Sequence, residues 1–138
     1  MATLCYVNFR GNAREAILYY QSIFKGPKPE IMTYADFHDP NYQPPDHIKH
    51  LIIHAEIHVF DSRVMISDTP DGFGYDLVQG SNFSLAIVSD DLLKLKEAWQ
   101  LMAGESKVLT DFQPSFFSEG YGYLMDRFGI YWQFIHEK

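Results

Sequence analysis

The sequence predicts an α+β fold of paired βαβββ units, and three observations lead there. An order of strand, helix and three strands occurs twice along the 138 residues. Each helical segment carries one apolar stripe, as a helix packed on a sheet requires. With 46% hydrophobic residues in 16.0 kDa, the chain is long and apolar enough to bury one core. A single domain over residues 1–138 is therefore expected, with one half near 3–69 and the other near 81–137. Two mixed sheets with helices on their outer faces would join into a curved trough whose inner faces line a cavity.

The first half opens on a strand, Thr3–Phe9, rich in aromatic and β-branched residues. Arg10-Gly11 ends it, and Asn12 with Glu15 three residues on has the spacing of a helix capping box. Ala13, Ala16, Ile17, Tyr20 and Phe24 recur at helical spacing, and Gly26, Pro27 and Pro29 stop the helix. Extended segments follow at Glu30–Phe37, His50–Phe60 and Arg63–Asp68, the last two joined by a turn at Asp61-Ser62. The polar stretch 36–50, with Pro40, Pro44 and Pro45, reads as an insertion loop and a mobile flap at one end of the trough.

Thr69–Ser81, with three glycines, connects the halves. The second half repeats the order with a strand at Asn82–Val88 and a helix opening at Ser89-Asp90-Asp91, where acidic residues suit the positive helix start. Leu92, Leu95, Trp99 and Met102 form its stripe and Gly104 ends it. Strands are predicted at Lys107–Phe112, Tyr121–Met125 and Ile130–His136, with a turn at Asp126-Arg127-Phe128-Gly129.

Composition narrows the partners. A net charge of −7 lacks the basic footprint that nucleic acid or anionic membrane needs. The single Cys5 leaves no disulfide framework and no cysteine-based zinc cluster, so a reducing compartment and a cytoplasmic location are expected. No apolar run approaches the roughly 18 residues of a membrane span, and the first residues do not read as a signal peptide.

Several segments resemble a known family. Tyr6-Val7-Asn8-Phe9-Arg10-Gly11-Asn12-Ala13-Arg14-Glu15-Ala16, followed by Tyr19-Tyr20 and Phe24, is similar to the start of PhnB-like proteins. These belong to the vicinal oxygen chelate superfamily, with glyoxalase I, bleomycin-resistance proteins and extradiol dioxygenases. His54-Ala55-Glu56, Met65-Ile66-Ser67-Asp68 and Gly122-Tyr123-Leu124-Met125-Asp126-Arg127-Phe128-Gly129-Ile130-Tyr131-Trp132 extend the resemblance in order over nearly the whole chain. Members often carry a demethylubiquinone methyltransferase domain name, yet no glycine-rich cofactor loop follows the first strand.

The resemblance implies a divalent ion held by four His, Gln or Glu side chains. The matching positions fall on or beside Cys5, Ser67 or Asp68, Ser84 and Gln133, where the histidines are missing, so no metal and no cofactor are expected. An alternative metal set lies at His54, Glu56 and His58. Alternate residues of a strand share a face about 6.6 Å apart, so His50, His54, Glu56 and His58 face away from Leu51, Ile53, Ala55, Ile57 and Val59. A wet polar face explains the same pattern and is preferred, because no matching ligand from another strand is evident. His54 and Glu56 are also the candidate catalytic pair, an adjacent imidazole and carboxylate able to share a proton. Cys5, in an apolar strand without a cationic neighbour, reads as structural.

The aromatic residues point to a ligand. Phe9, Phe116, Phe117, Tyr121, Tyr123 and Tyr131 are expected to face or rim the trough, with Trp99 and Trp132 in the core. The expected ligand-binding set is Phe9, His54, Glu56, His58, Phe117, Tyr121, Tyr123, Tyr131 and Gln133. With no lysine or arginine assignable to that face, a small neutral or cationic aromatic molecule is the expected partner. The alternatives are a metal-dependent glyoxalase-type lyase, isomerase or dioxygenase using His54, Glu56 and His58, and a non-catalytic protein that acts through partners. A homodimer is expected, two-fold pairs being the commonest assembly.

Overall fold

The computed structural model describes residues 1–138. The chain divides into two compact units, Met1–Val78 and Gln79–Lys138, with the break inside the glycine-bearing connection. Each unit is a βαβββ arrangement with a mixed four-stranded sheet, and the two sheets have the same topology.

In the first unit β1 (Cys5–Phe9) leads into α1 (Ala13–Phe24), then β2 (Glu30–Thr33), β3 (Ile52–Val59) and β4 (Ser62–Asp68). The spatial order is β1-β4-β3-β2, with β1 parallel to β4 and the other pairs antiparallel. The second unit repeats this with β5 (Leu85–Ser89), α2 (Leu92–Ala103), β6 (Lys107–Gln113), β7 (Tyr121–Met125) and β8 (Tyr131–His136), in the order β5-β8-β7-β6. The parallel first and last strands are what a helical crossover permits, and the antiparallel remainder needs only turns.

Each helix lies on the buried side of its own sheet. Ala13, Ala16, Ile17, Tyr20, Ile23 and Phe24 are the buried stripe of α1, which packs on β3 and β4. Beneath it run the strand rows Cys5-Val64-Ile57 and Val7-Ile66-Ala55-Ile31. In the second unit Leu95, Ala98, Trp99 and Met102 of α2 cover the rows Leu85-Trp132-Leu124-Val108 and Ile87-Phe134-Gly122. Trp99 meets Phe134 edge to face, with ring centres 5.3 Å apart.

Gly122 makes that contact possible. A Cβ there would stand 2.6 Å from Cζ3 and 2.8 Å from Cη2 of Trp99, inside van der Waals contact. Gly122→Ala is therefore expected to cost about 1–3 kcal/mol by overpacking. Urea unfolding followed by tryptophan fluorescence reads this directly, and an unchanged midpoint would show that Trp99 has room to move.

Several local expectations are corrected. Asn12 makes no side-chain cap; Asp68 Oδ1 instead accepts hydrogen bonds from the Gly11 and Ala13 amides at 2.9 and 3.0 Å. The left-handed residue that ends α1 is Lys25 (φ 55°), not Gly26. Gly26 is needed for close approach, since a Cβ there would lie 3.0 Å from His58 Cβ. The β3–β4 turn sits one residue earlier than expected, at Phe60-Asp61, with Phe60 at φ 55° and its ring against Phe24. β2 stops at Thr33, where Thr33 and Asp36 form a reciprocal capping box around a 3-10 turn. The Thr33 hydrogen bonds hold the exposed Asp36 carboxyl below its ordinary range. The insertion carries a second 3-10 turn, Asp46–Ile48, and buried Tyr34 and Ile48 anchor its two ends.

Candidate binding faces of the two sheets

Strand alternation sends every second row to the side away from the helix, and those open rows collect the polar and aromatic side chains. In the first unit one row crosses all four strands as Tyr6-Met65-Glu56-Glu30. Asn8 and Ser67 pair in the next row, His58 and Arg63 in another. His54 shares this face: its Nδ1 lies 3.1 Å from the Tyr6 hydroxyl. Arg63 donates to Glu56 Oε1 at 3.0 Å, and Ser67 Oγ donates to Asn8 Oδ1 at 2.8 Å.

These partners decide what His54 and Glu56 do. They sit on one face, as their spacing requires, but each is engaged elsewhere, His54 with Tyr6 and Glu56 with Arg63. The proton-sharing pair expected from the sequence is not the contact that forms. His50 falls in the turn before β3, outside the strand, and is exposed. A register shift beside Thr33 brings fully buried Ile52 out of the simple alternation.

Phe9 is a further correction. It was expected among the ligand-binding residues, yet it is 4% exposed and falls in phase with Cys5 and Val7, on the helix side. Tyr6 is the aromatic residue of β1 that reaches the open face.

The second unit presents a different surface. Its open rows are Lys107-Met125-Tyr131, Thr110-Tyr123-Gln133-Ala86 and Gln113-Tyr121-Ile135-Val88. The sequence-predicted Tyr121, Tyr123, Tyr131 and Gln133 are thus brought together on one sheet face. Tyr123 and Tyr131 meet edge to face at 6.2 Å. Half-exposed Phe117 extends the array, its ring 5.0 Å from Tyr121, while Phe116 is fully exposed.

A polar chain crosses this surface. The Tyr121 hydroxyl donates to Gln133 Oε1 at 2.7 Å, and Gln133 Nε2 donates to Ser84 Oγ at 2.8 Å. Burial pushes the Tyr121 hydroxyl pKa up, which keeps it a neutral donor. Lys107 also stands on this face, in the row of Met125 and Tyr131. Sequence alternation alone did not place it, because β6 is irregular: the register shifts between Val108 and Thr110.

A family-type metal finds no suitable ligands. Asp68 is buried and accepts from three backbone amides, those of Gly11, Ala13 and Ile52. Both ends of the Gln133 amide are bonded, and Ser67 is held by Asn8. Cys5 lies in the helix-side row, where burial raises its thiol pKa and so disfavours the thiolate. No three His, Cys, Asp or Glu side chains converge where a metal ion could sit, His54, Glu56 and His58 included. An anionic cofactor group at the start of α1 fares no better, since the Gly11 and Ala13 amides that would receive it already bind Asp68.

Comparison with known proteins agrees with the architecture. A family profile described as 3-demethylubiquinone-9 3-methyltransferase matches residues 2–135. Among solved structures, protein PA1353 from Pseudomonas aeruginosa is 27% identical with a TM-score of 0.81, covering 99% of this chain and 98% of that one. A putative 3-demethylubiquinone-9 3-methyltransferase, PhnB protein, from Bacillus cereus is 20% identical with a TM-score of 0.72, covering 99% and 100%. A member of the glyoxalase/bleomycin resistance protein/dioxygenase superfamily from Sphaerobacter thermophilus shares the fold at 10% identity and a TM-score of 0.60, covering 99% and 98%.

Proposed function

Since this chain belongs to the family described as 3-demethylubiquinone-9 3-methyltransferase and shares its fold with the glyoxalase/bleomycin resistance/dioxygenase superfamily, we propose the activity its own side chains support. That activity is metal-free binding of a small aromatic molecule on the open face of the β5-β8-β7-β6 sheet. The supporting observation is the grouping of Tyr121, Tyr123 and Tyr131 on one face around Gln133. Tyrosine rings offer stacking area at small entropic cost, and the Gln133 and Tyr121 polar atoms orient a ligand's heteroatom.

Tyr123 is the central anchor because it lies in the middle open row of the face. Tyr123→Ala is expected to weaken binding of 1-naphthamide, a neutral aromatic probe, by about 1–3 kcal/mol. Tyr121→Phe keeps the ring against Phe117 and should have the smaller effect. Titration calorimetry in the presence and absence of EDTA reads both claims. Equal affinity of wild type and Tyr123→Ala would remove the site from this face, and affinity lost on adding EDTA would restore a metal-dependent reading.

A further inference from the structure

We propose that the aromatic face ends in a carboxylate-binding mouth, so that the ligand it takes is an aromatic acid. This rests on the aromatic-face reading and adds the ligand's charge. A cavity of about 640 Å³ opens at the end of the face, where the Lys107-Met125-Tyr131 row meets the β7–β8 hairpin. Tyr131 and Met125 supply an apolar floor continuous with Tyr123, whose ring touches Tyr131. Gln79 forms a far wall, its Nε2 donating to the Phe128 carbonyl at 2.7 Å.

Two cations and two carboxylates line this mouth, and their engagements differ. Asp126 is 1% exposed and turned into the hairpin, where it accepts from the Phe128 and Ile130 amides and the Trp132 indole. Arg127 faces Glu105 across 3.6 Å, with both side chains about half exposed, and also lies over the Phe128 ring. Such an exposed pair contributes little, and with Glu105 and the Phe128 ring as its neighbours the guanidinium is already engaged. Lys107 makes no ion pair within 4 Å, so its ammonium is the charge the mouth presents beside an apolar floor. A ring on Tyr123 and Tyr131 with its carboxylate at Lys107 satisfies both surfaces at once. The neutral or cationic preference expected from the sequence is reversed, because it assumed that no lysine or arginine reaches this face.

The test compares 1-naphthoate, 1-naphthamide and 1-naphthylmethylamine, which share one ring system and differ in charge. At low salt the acid is expected to bind tightest, by about fivefold over the amide, the scale of one partly exposed ion pair. Lys107→Met should bring the acid down to the amide and leave the amide unchanged, and Lys107→Arg should keep the preference. Raised salt should narrow the gap in the wild type and in Lys107→Arg, and change nothing in Lys107→Met. An acid no tighter than the amide, or a Lys107→Met loss equal for both, overturns the carboxylate mouth. If the amide still binds and Tyr123→Ala weakens it, the aromatic-face reading survives that failure. Binding by none of the three probes overturns both.

Discussion

Replacing Asp126 by alanine is expected to destabilise the protein by about 3–5 kcal/mol, the largest effect of any single change considered. The side chain is 1% exposed and organises the whole β7–β8 hairpin. Oδ1 accepts the Phe128 amide at 2.8 Å and the Ile130 amide at 3.0 Å, while Oδ2 accepts the Trp132 indole N–H at 2.9 Å. Truncation strands three donors in a region packed around fully buried Trp132. Asp126→Asn keeps one acceptor oxygen but turns an amide N–H2 toward the indole donor. Pairing it with Trp132→Phe removes that conflict, so the double variant should recover part of the Asn loss beyond additivity. Urea midpoints of the four proteins make the comparison. A loss under about 1 kcal/mol for Asp126→Ala would mean that water replaces the carboxylate without penalty.

Asp68→Ala is expected to cost about 2–4 kcal/mol for a related reason. One carboxylate at the end of β4 ties two other pieces of chain: Oδ1 holds the Gly11 and Ala13 amides at the start of α1, and Oδ2 holds the Ile52 amide at the start of β3 at 2.9 Å. It supplies the cap that Asn12 does not, with the added benefit of a negative charge at the positive helix end. The distinctive readout is local. Amide hydrogen exchange at Ala13 and Ile52, far apart in sequence, should accelerate together in Asp68→Ala. Faster exchange at Ala13 alone would reduce Asp68 to an ordinary helix cap.

The duplicated order of elements could be read from the sequence because its signals are local. The apolar stripes at 13–24 and 92–103 and the alternation at 121–125 and 131–136 each need only a few neighbouring residues. The same alternation already groups Tyr121, Tyr123 and Tyr131 on one face. It also separates Phe9 from Tyr6, three residues apart and so on opposite sides of β1, which puts Phe9, expected at the rim, on the helix side and Tyr6 on the open face. Lys107 escaped for a different reason. An irregular β6 breaks the period, and only strand pairing returns Lys107 to the row of Met125 and Tyr131.

By itself, then, the sequence determined two βαβββ units, the buried stripe of each helix and the tyrosine face of β7 and β8, all consequences of short-range periodicity. Tertiary structure alone decided the partners. Asp68 reaches amides 57 and 55 residues away, His54 meets Tyr6 rather than Glu56, and Glu56 meets Arg63. A polar side chain bonds to whatever donor or acceptor lies within about 3 Å. Strand order and register, which no local pattern contains, bring that partner into place.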